Sequence, residues 1–145
     1  GGCHVHEKFS VEAIVKLKKE HPDAVVMAHL ECKAPVLAVA DVKGSTATML
    51  HYAEEHPEIK EYIIATEAGI LHELERNCPN VTFYPVPPEV SEGGVGCSCN
   101  ECEYMKMNSL KKIYNALKFG WPTVEVDSAI AKEAVKPIEK MLSLS

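Results

Sequence analysis

The chain has 145 residues, 46% of them hydrophobic, and carries 15 Lys and Arg against 21 Asp and Glu, so its formal charge is 15 − 21 = −6. That length is one ordinary domain, long enough to bury a core without disulfide staples. The acidic balance weighs against a nucleic-acid backbone or an anionic membrane as the main partner, and the longest apolar runs, such as residues 35–40 (PVLAVA), are far too short to cross a bilayer.

The chain opens on GGCHVHEKFS, which puts Cys3, His4 and His6 within four positions. These three metal-capable side chains cannot close a site alone. Ser10 then caps a helix with Glu12 in its first turn and Val11, Ile14 and Val15 as apolar positions, ended by His21-Pro22-Asp23. Residues 24–28 (AVVMA) form a short β-branched and apolar run, the pattern of a buried strand. PVLAVA reads as a short helix with Pro35 in its first turn, and a second strand precedes Gly44. Ser45 or Thr46 opens the next helix, which stops before Pro57. Residues 61–65 (EYIIA) read as a strand, 67–77 as a helix, and 81–86 (VTFYPV) as a fourth strand. A loop rich in Pro, Gly and Cys runs from Pro87 to about Glu101. Residues 108–120 read as a helix with Gly120 as its C-cap, 123–126 (TVEV) as one more strand, and 127–144 as a helix that Pro137 kinks or breaks.

Strands alternating with helices predict an α/β fold: a three-layer α/β/α sandwich with a short, mostly parallel four-stranded sheet, plus C-terminal helices. On that plan His29, Glu31 and Cys32 (HLEC) follow the first strand, Gly44, Ser45 and Thr46 the second, Thr66 and Glu67 the third, and the cysteine loop the fourth. All four clusters fall on the carboxyl rim of the sheet, where open α/β folds bind ligands.

Each cluster also has a plain reading. Gly-Ser-Thr opening a helix is an N-cap before it is an anion site, although free amides and hydroxyls there suit a phosphate or carboxylate. HLEC is either a satisfied polar turn or a proton-transfer pair, and Thr66-Glu67 is equally a helix cap. His21, His51, His56 and His72 read as solvated or packed, and Cys78 as structural. The six cysteines are read as thiols kept for metal or redox chemistry in a cytoplasm rather than as three disulfides, since no secretory pattern is visible and stapled chains are usually shorter. Cys97, Cys99 and Cys102, spaced C-x-C-x2-C, bring soft ligands together for zinc or an iron–sulfur cluster, and a Cys99–Cys102 redox pair is a further reading.

Five segments taken together, GGCHVHEKF, AHLEC, ADVKGST, IIATEAGI and CNECEYMKMNSLKKIYNAL, have the order and spacing of the later part of quinolinate synthases, and the likeness covers essentially the whole chain. The resemblance implies an enzyme of NAD biosynthesis in which three α/β sandwiches related by pseudo-threefold symmetry surround one [4Fe-4S] cluster. Its reaction condenses iminoaspartate with dihydroxyacetone phosphate to quinolinate. By motif, Cys3 and Cys102 correspond to two of the three cluster cysteines, and the third would lie upstream, so the chain is expected to be a carboxyl-terminal portion. Residues 1–121 would be the last sandwich, and 122–145 a strand and helix packing on the N-terminal part. His6 corresponds to a residue near the cluster face, and His29 and Glu31 to a substrate-holding, proton-moving pair in a segment where Leu30 replaces the usual Pro. Ser45 and Thr46 correspond to an anion-binding pair, with Thr66 in the same pocket and Met105 packing near the cluster. Cys97 and Cys99 correspond to extra cysteines of some members, and Cys-Glu-Tyr-Met stands here for the commoner Cys-Pro-Trp-Met. Two other readings remain open beside it: a non-catalytic zinc-binding domain using Cys97, Cys99, Cys102 and a His, and a phosphometabolite-binding module using only the Gly-Ser-Thr rim.

Overall fold

The computed structural model describes residues 2–89 and 100–144, and the chain divides into two compact units, Gly1–Lys106 and Met107–Ser145. The first unit runs from a 3₁₀ turn (His6–Lys8) through α1 (Val11–Glu20), β1 (Val25–His29), α2 (Ala34–Val39), β2 (Val42–Gly44), α3 (Thr46–Glu55), β3 (Glu61–Ala65), α4 (Ile70–Asn77) and β4 (Thr82–Pro85) to a single turn, α5 (Glu103–Lys106). The four strands form one sheet in the order β2-β1-β3-β4, and every neighbouring pair is parallel.

Period-2 alternation divides the strand side chains between two cores. On one face Val26, Ala28, Ile63 and Ala65 pack with Phe9, with Ile14 of α1 and with Val36 of α2. On the other, Met27, Tyr62, Ile64 and Phe83 pack with Met49 and Ala53 of α3 and Leu74 of α4. The result is the expected three-layer sandwich, with the sheet covered on both faces as a parallel sheet must be.

Helix starts follow the sequence signals. Ser10 Oγ accepts from the Ala13 amide at 3.3 Å, and Ser45 Oγ accepts from the Thr48 amide at 3.2 Å. Gly44 is needed for packing: a Cβ there would lie 2.6 Å from the Cβ of Thr48, so only glycine lets β2 run this tightly into α3. The first strand begins one residue later than the apolar run suggests, because Asp41 grips its start. Asp41 Oδ2 accepts from the Val26 amide at 2.8 Å, while the Asp41 amide donates to the Val26 carbonyl at 2.9 Å. This places His29 inside the strand, as its last residue.

The second unit holds α6 (Leu110–Phe119), closed by Gly120 in the left-handed region at φ 62°, and α7 (Ser128–Leu142), capped by Asp127. One expectation is corrected here and a second, a kink or a break at Pro137, is narrowed. Residues 123–126 form no strand: the sheet has four strands, all from the first unit, and none pairs with this segment. Nor does Pro137 end the last helix, which continues through it to Leu142. A proline removes one amide donor, and the remaining turns carry that single loss.

Two substitutions test the core. Tyr62 is fully buried, its hydroxyl has no partner among the described residues, and burial pushes its pKa up to about 12. Tyr62→Phe is therefore expected to leave stability unchanged or raise it by about 1 kcal/mol. Phe9→Ala, which empties a fully buried site, should lower stability by about 3–5 kcal/mol. Urea unfolding followed by circular dichroism measures both.

Candidate functional site

The strand order places a gap in the sheet's carboxyl edge. From β1 the chain moves outward to β2, then crosses back over β1 to β3 and on to β4. Connections thus leave β1 and β3 in opposite directions, which makes the rim between them the switch point of the sheet. Open α/β sheets bind ligands at this switch point. Ala28 and Ala65 are paired across the two strands, so the next residues, His29 and Thr66, stand side by side at the gap.

The amino-terminal segment fills the floor of the gap. Val5 and Phe9, 3% and 0% exposed, anchor the 3₁₀ turn to the core. The turn closes through the Glu7 amide on the Cys3 carbonyl at 3.0 Å and the Lys8 amide on the Val5 carbonyl at 3.2 Å. Between these anchors the buried His6 ring is held at both nitrogens: Nδ1 lies 3.0 Å from Glu31 Oε2, and Nε2 lies 2.9 Å from Thr66 Oγ1. The ring also stacks on His29, with centroids 4.2 Å apart and planes 8° from parallel. Burial, reinforced by the neighbouring His29, lowers the His6 pKa against the opposing pull of Glu31. His29 Nδ1 accepts the Glu31 amide at 3.2 Å, so in the neutral ring the proton resides on Nε2.

The HLEC segment therefore divides by direction. His29 and Glu31 face the cavity, whereas Cys32 turns into the core, where Sγ donates to the Ala65 carbonyl at 3.5 Å. Burial raises the Cys32 thiol to about 11. Cys78 is likewise buried, at the C-cap of α4, and burial raises its pKa as well.

Cys3 and Cys102, ninety-nine positions apart in the sequence, line the same cavity of about 570 Å³ as His6, His29 and Glu31. Both are free thiols of intermediate exposure, and both pack against the core cluster on the Phe9 side of the sheet. One donor atom each from Cys3, His6 and Glu31 lies within 4.8 Å of the other two. Thr46, the first residue of α3, Thr66 and the exposed Met105 also line the cavity. Ser45 serves as the α3 N-cap, and its hydroxyl is engaged by the Thr48 amide and, at 3.0 Å, by Thr48 Oγ1. His4 lies edge-on to Tyr104 with centroids 5.5 Å apart. Cys97 and Cys99 lie outside the described residues.

Two residues help to position Cys102 in a way the sequence does not reveal. Glu67 was read with Thr66 as a helix cap, and one of its oxygens, Oε2, does accept the Gly69 amide at 2.7 Å. The other, Oε1, accepts the Cys102 amide at 3.2 Å. Asn100 is buried. Its carbonyl accepts the Ala68 amide at 2.9 Å, and its Nδ2 donates to the Val86 carbonyl. No local pattern reveals either bond, because each joins the cysteine segment to the end of a distant strand.

Fold and site together define a parallel α/β domain whose switch-point cleft is lined by thiols, imidazoles and carboxylates, side chains that could hold a metal ion. The family model described as "NadA: Quinolinate synthetase A protein" matches residues 1–143, and the chain belongs to the quinolinate synthase family. It is 44% identical over 144 residues to the quinolinate synthase of Prochlorococcus marinus (strain MIT 9303), covering 99% of this chain and 41% of that protein. It is 39% identical to the enzyme of that name from Synechococcus sp. (strain ATCC 27144 / PCC 6301 / SAUG 1402/1) and 41% identical to that of Chloroherpeton thalassium (strain ATCC 35110 / GB-78), in each case over 100% of this chain and 44% of the relative. The chain thus spans well under half the length of these curated relatives.

Thiol accessibility tests the arrangement. In the folded, metal-free chain, iodoacetamide is expected to label Cys3 and Cys102 well before Cys32 and Cys78, as read by peptide mass spectrometry over a time course. Equal rates for all four would contradict the division between cavity and core.

Proposed function

We propose that this chain supplies the cluster- and substrate-facing α/β portion of a quinolinate synthase, which condenses iminoaspartate with dihydroxyacetone phosphate to quinolinate with loss of phosphate and water. The observation that carries the reading is the convergence of Cys3 and Cys102 as free thiols on the cavity that also receives His6, His29 and Glu31. Both sulfurs are unpaired and reach one space from opposite ends of the unit, which suits a [4Fe-4S] cluster held by these two residues and a cysteine from the remainder of the enzyme. When bound, such a cluster supplies an iron with an open position, a Lewis acid for a carboxylate or departing hydroxyl.

The chain's own residues do the rest. His6, kept neutral by burial and by its neighbour His29, holds Glu31 in place at Nδ1. Glu31, with nearly half its side chain exposed to the cavity mouth, takes up and returns protons during imine formation, isomerisation and loss of water. His29 has Nδ1 occupied by the Glu31 amide, so Nε2 is the atom that gives or receives a proton. Thr46, with the free first-turn amides of α3, meets the phosphate or a carboxylate of the substrate, Ser45 shapes that turn as its cap, and Thr66 keeps the His6 ring oriented from Nε2.

Residues 1–121 fit the role of the last sandwich of a pseudo-threefold enzyme, and 122–145 that of a segment packing on the N-terminal part. The second unit supports this: none of its described residues is buried, and Leu110, Leu117, Trp121, Val124 and Leu144 are each more than 60% exposed. Cys97 and Cys99 remain candidates for an auxiliary redox role. A cytoplasmic setting suits a cluster enzyme with free thiols, and among the described residues no helix is long and apolar enough to cross a membrane.

A chimaera tests the proposal. Exchanging this chain for the matching segment of the Prochlorococcus relative should give an enzyme that, reconstituted anaerobically with iron and sulfide, is brown and forms quinolinate. Cys3→Ala and Cys102→Ala chimaeras should each lose the colour and the turnover. A chimaera that keeps its cluster after both substitutions would overturn the assignment. The isolated chain, lacking the third thiolate, is expected to form no quinolinate.

A further inference from the structure

Among the described residues, the one group of three donors close enough to share a metal ion does not include Cys102. Cys3, His6 and Glu31 each offer one donor within 4.8 Å of the other two. In a tetrahedral zinc-type site, bonds of about 2.0–2.3 Å set neighbouring donors roughly 3.3–3.6 Å apart. The 3.0 Å between His6 Nδ1 and Glu31 Oε2 is already of that order, and Cys3, of intermediate exposure, stands at the mouth of the same cavity.

The surroundings of His6 match those of a ligating imidazole. Its Nε2 is hydrogen-bonded to Thr66 Oγ1 at 2.9 Å on a buried threonine. Metal-bound histidines use their second nitrogen in this way, which fixes both tautomer and ring plane. In the metal-free chain a neutral His6 donates from Nδ1 to Glu31 and accepts the Thr66 hydroxyl at Nε2; the other tautomer, with the proton on Nε2, frees Nδ1 for a cation. The stacked His29 ring, 4.2 Å away, blocks rotation out of that plane. Thiolate, imidazole and carboxylate carry two negative charges between them, matching one divalent cation. The mixed soft and intermediate donor set favours Zn²⁺, Co²⁺ or Fe²⁺ over Mg²⁺ or Ca²⁺.

We propose that Cys3, His6 and Glu31 form a mononuclear site for a divalent transition-metal cation, with its fourth position open to the cavity. On binding, the Cys3 thiol loses its proton to solvent and the His6 ring proton passes from Nδ1 to Nε2, where the Thr66 hydroxyl turns to accept it, so that Nδ1 and the Glu31 carboxylate both face the cation. No oxidation is involved. The site goes beyond the cluster reading and is separable from it: it needs Cys3 and Glu31 but not Cys102, whereas the cluster needs Cys102. Because both use Cys3, cation and cluster are alternative occupants of the cavity.

The test is titration of the reduced, metal-free 145-residue chain with cobalt(II) chloride under anaerobic conditions, followed by absorption spectroscopy. One equivalent is expected to bind with tetrahedral ligand-field bands and a thiolate-to-cobalt charge-transfer band. Zinc should displace it and magnesium should not. Cys3→Ser should abolish the charge-transfer band. Glu31→Gln, which keeps an oxygen acceptor opposite His6 at a half-exposed position, should weaken binding at least ~10-fold. Cys102→Ala should retain one cobalt with an unchanged spectrum while failing to take up iron and sulfide, which separates the two readings. Failure to saturate at one equivalent, a charge-transfer band that survives Cys3→Ser, or its loss in Cys102→Ala would overturn the proposal. Far-ultraviolet circular dichroism verifies that each variant is folded.

Discussion

Parallel strands cannot be joined without a crossover, and each crossover must lie on one face of the sheet or the other. In this chain the direction of winding reverses between β1 and β3. At that reversal Cys3, His6, His29, Glu31, Thr46, Thr66 and Cys102 line one cavity. His29 arrives as the last residue of β1, Thr66 one residue past β3, Thr46 at the start of α3, and Cys102 on the segment after β4. The amino-terminal turn adds Cys3 and His6, and α4 and α5 add Glu73 and Met105.

His6 is the joint of this assembly. A buried imidazole with two satisfied nitrogens and a stacked partner has little freedom, and it ties three chain segments together: the opening turn, the β1–α2 connection through Glu31, and the end of β3 through Thr66. Such a network is costly to leave half-made in a low-dielectric setting, and for the same reason it specifies one geometry when complete. The orientation of Glu31 follows from it, and so does the separation between the cavity-facing residues and Cys32, which shares their motif but belongs to the core.

How much of this the amino-acid sequence reveals depends on the range of the interaction. Strand residues 61–65 and the caps at Ser10, Ser45 and Gly120 are local and were legible as written. So was the placement of four polar clusters on one rim, because it needs only the alternation of strands and helices. The resemblance to a known family added the pairing of Cys3 with Cys102, which spacing alone could not supply. What stayed hidden was non-local. The carboxylate of Glu67 reaching the Cys102 amide, and Asn100 bridging Val86 and Ala68, join residues far apart in the chain. The misread strand at 123–126 has the same root: β-branched residues suit a sheet, but a strand needs a neighbour, and none of the four strands pairs with this segment.

The clamp at Asn100 bears on how such a domain can change over generations. Val86 is fixed by its amide to the Ile64 carbonyl, and Asn100 returns the chain to that same carboxyl end of the sheet. The position of the Cys102 sulfur is thus set by contacts on either side of it, Val86 and Asn100 before it and the Glu67 carboxylate at its own amide. Inheritance of the thiol at this place therefore depends on residues that never touch the cavity, and a change at Asn100 would be felt there first.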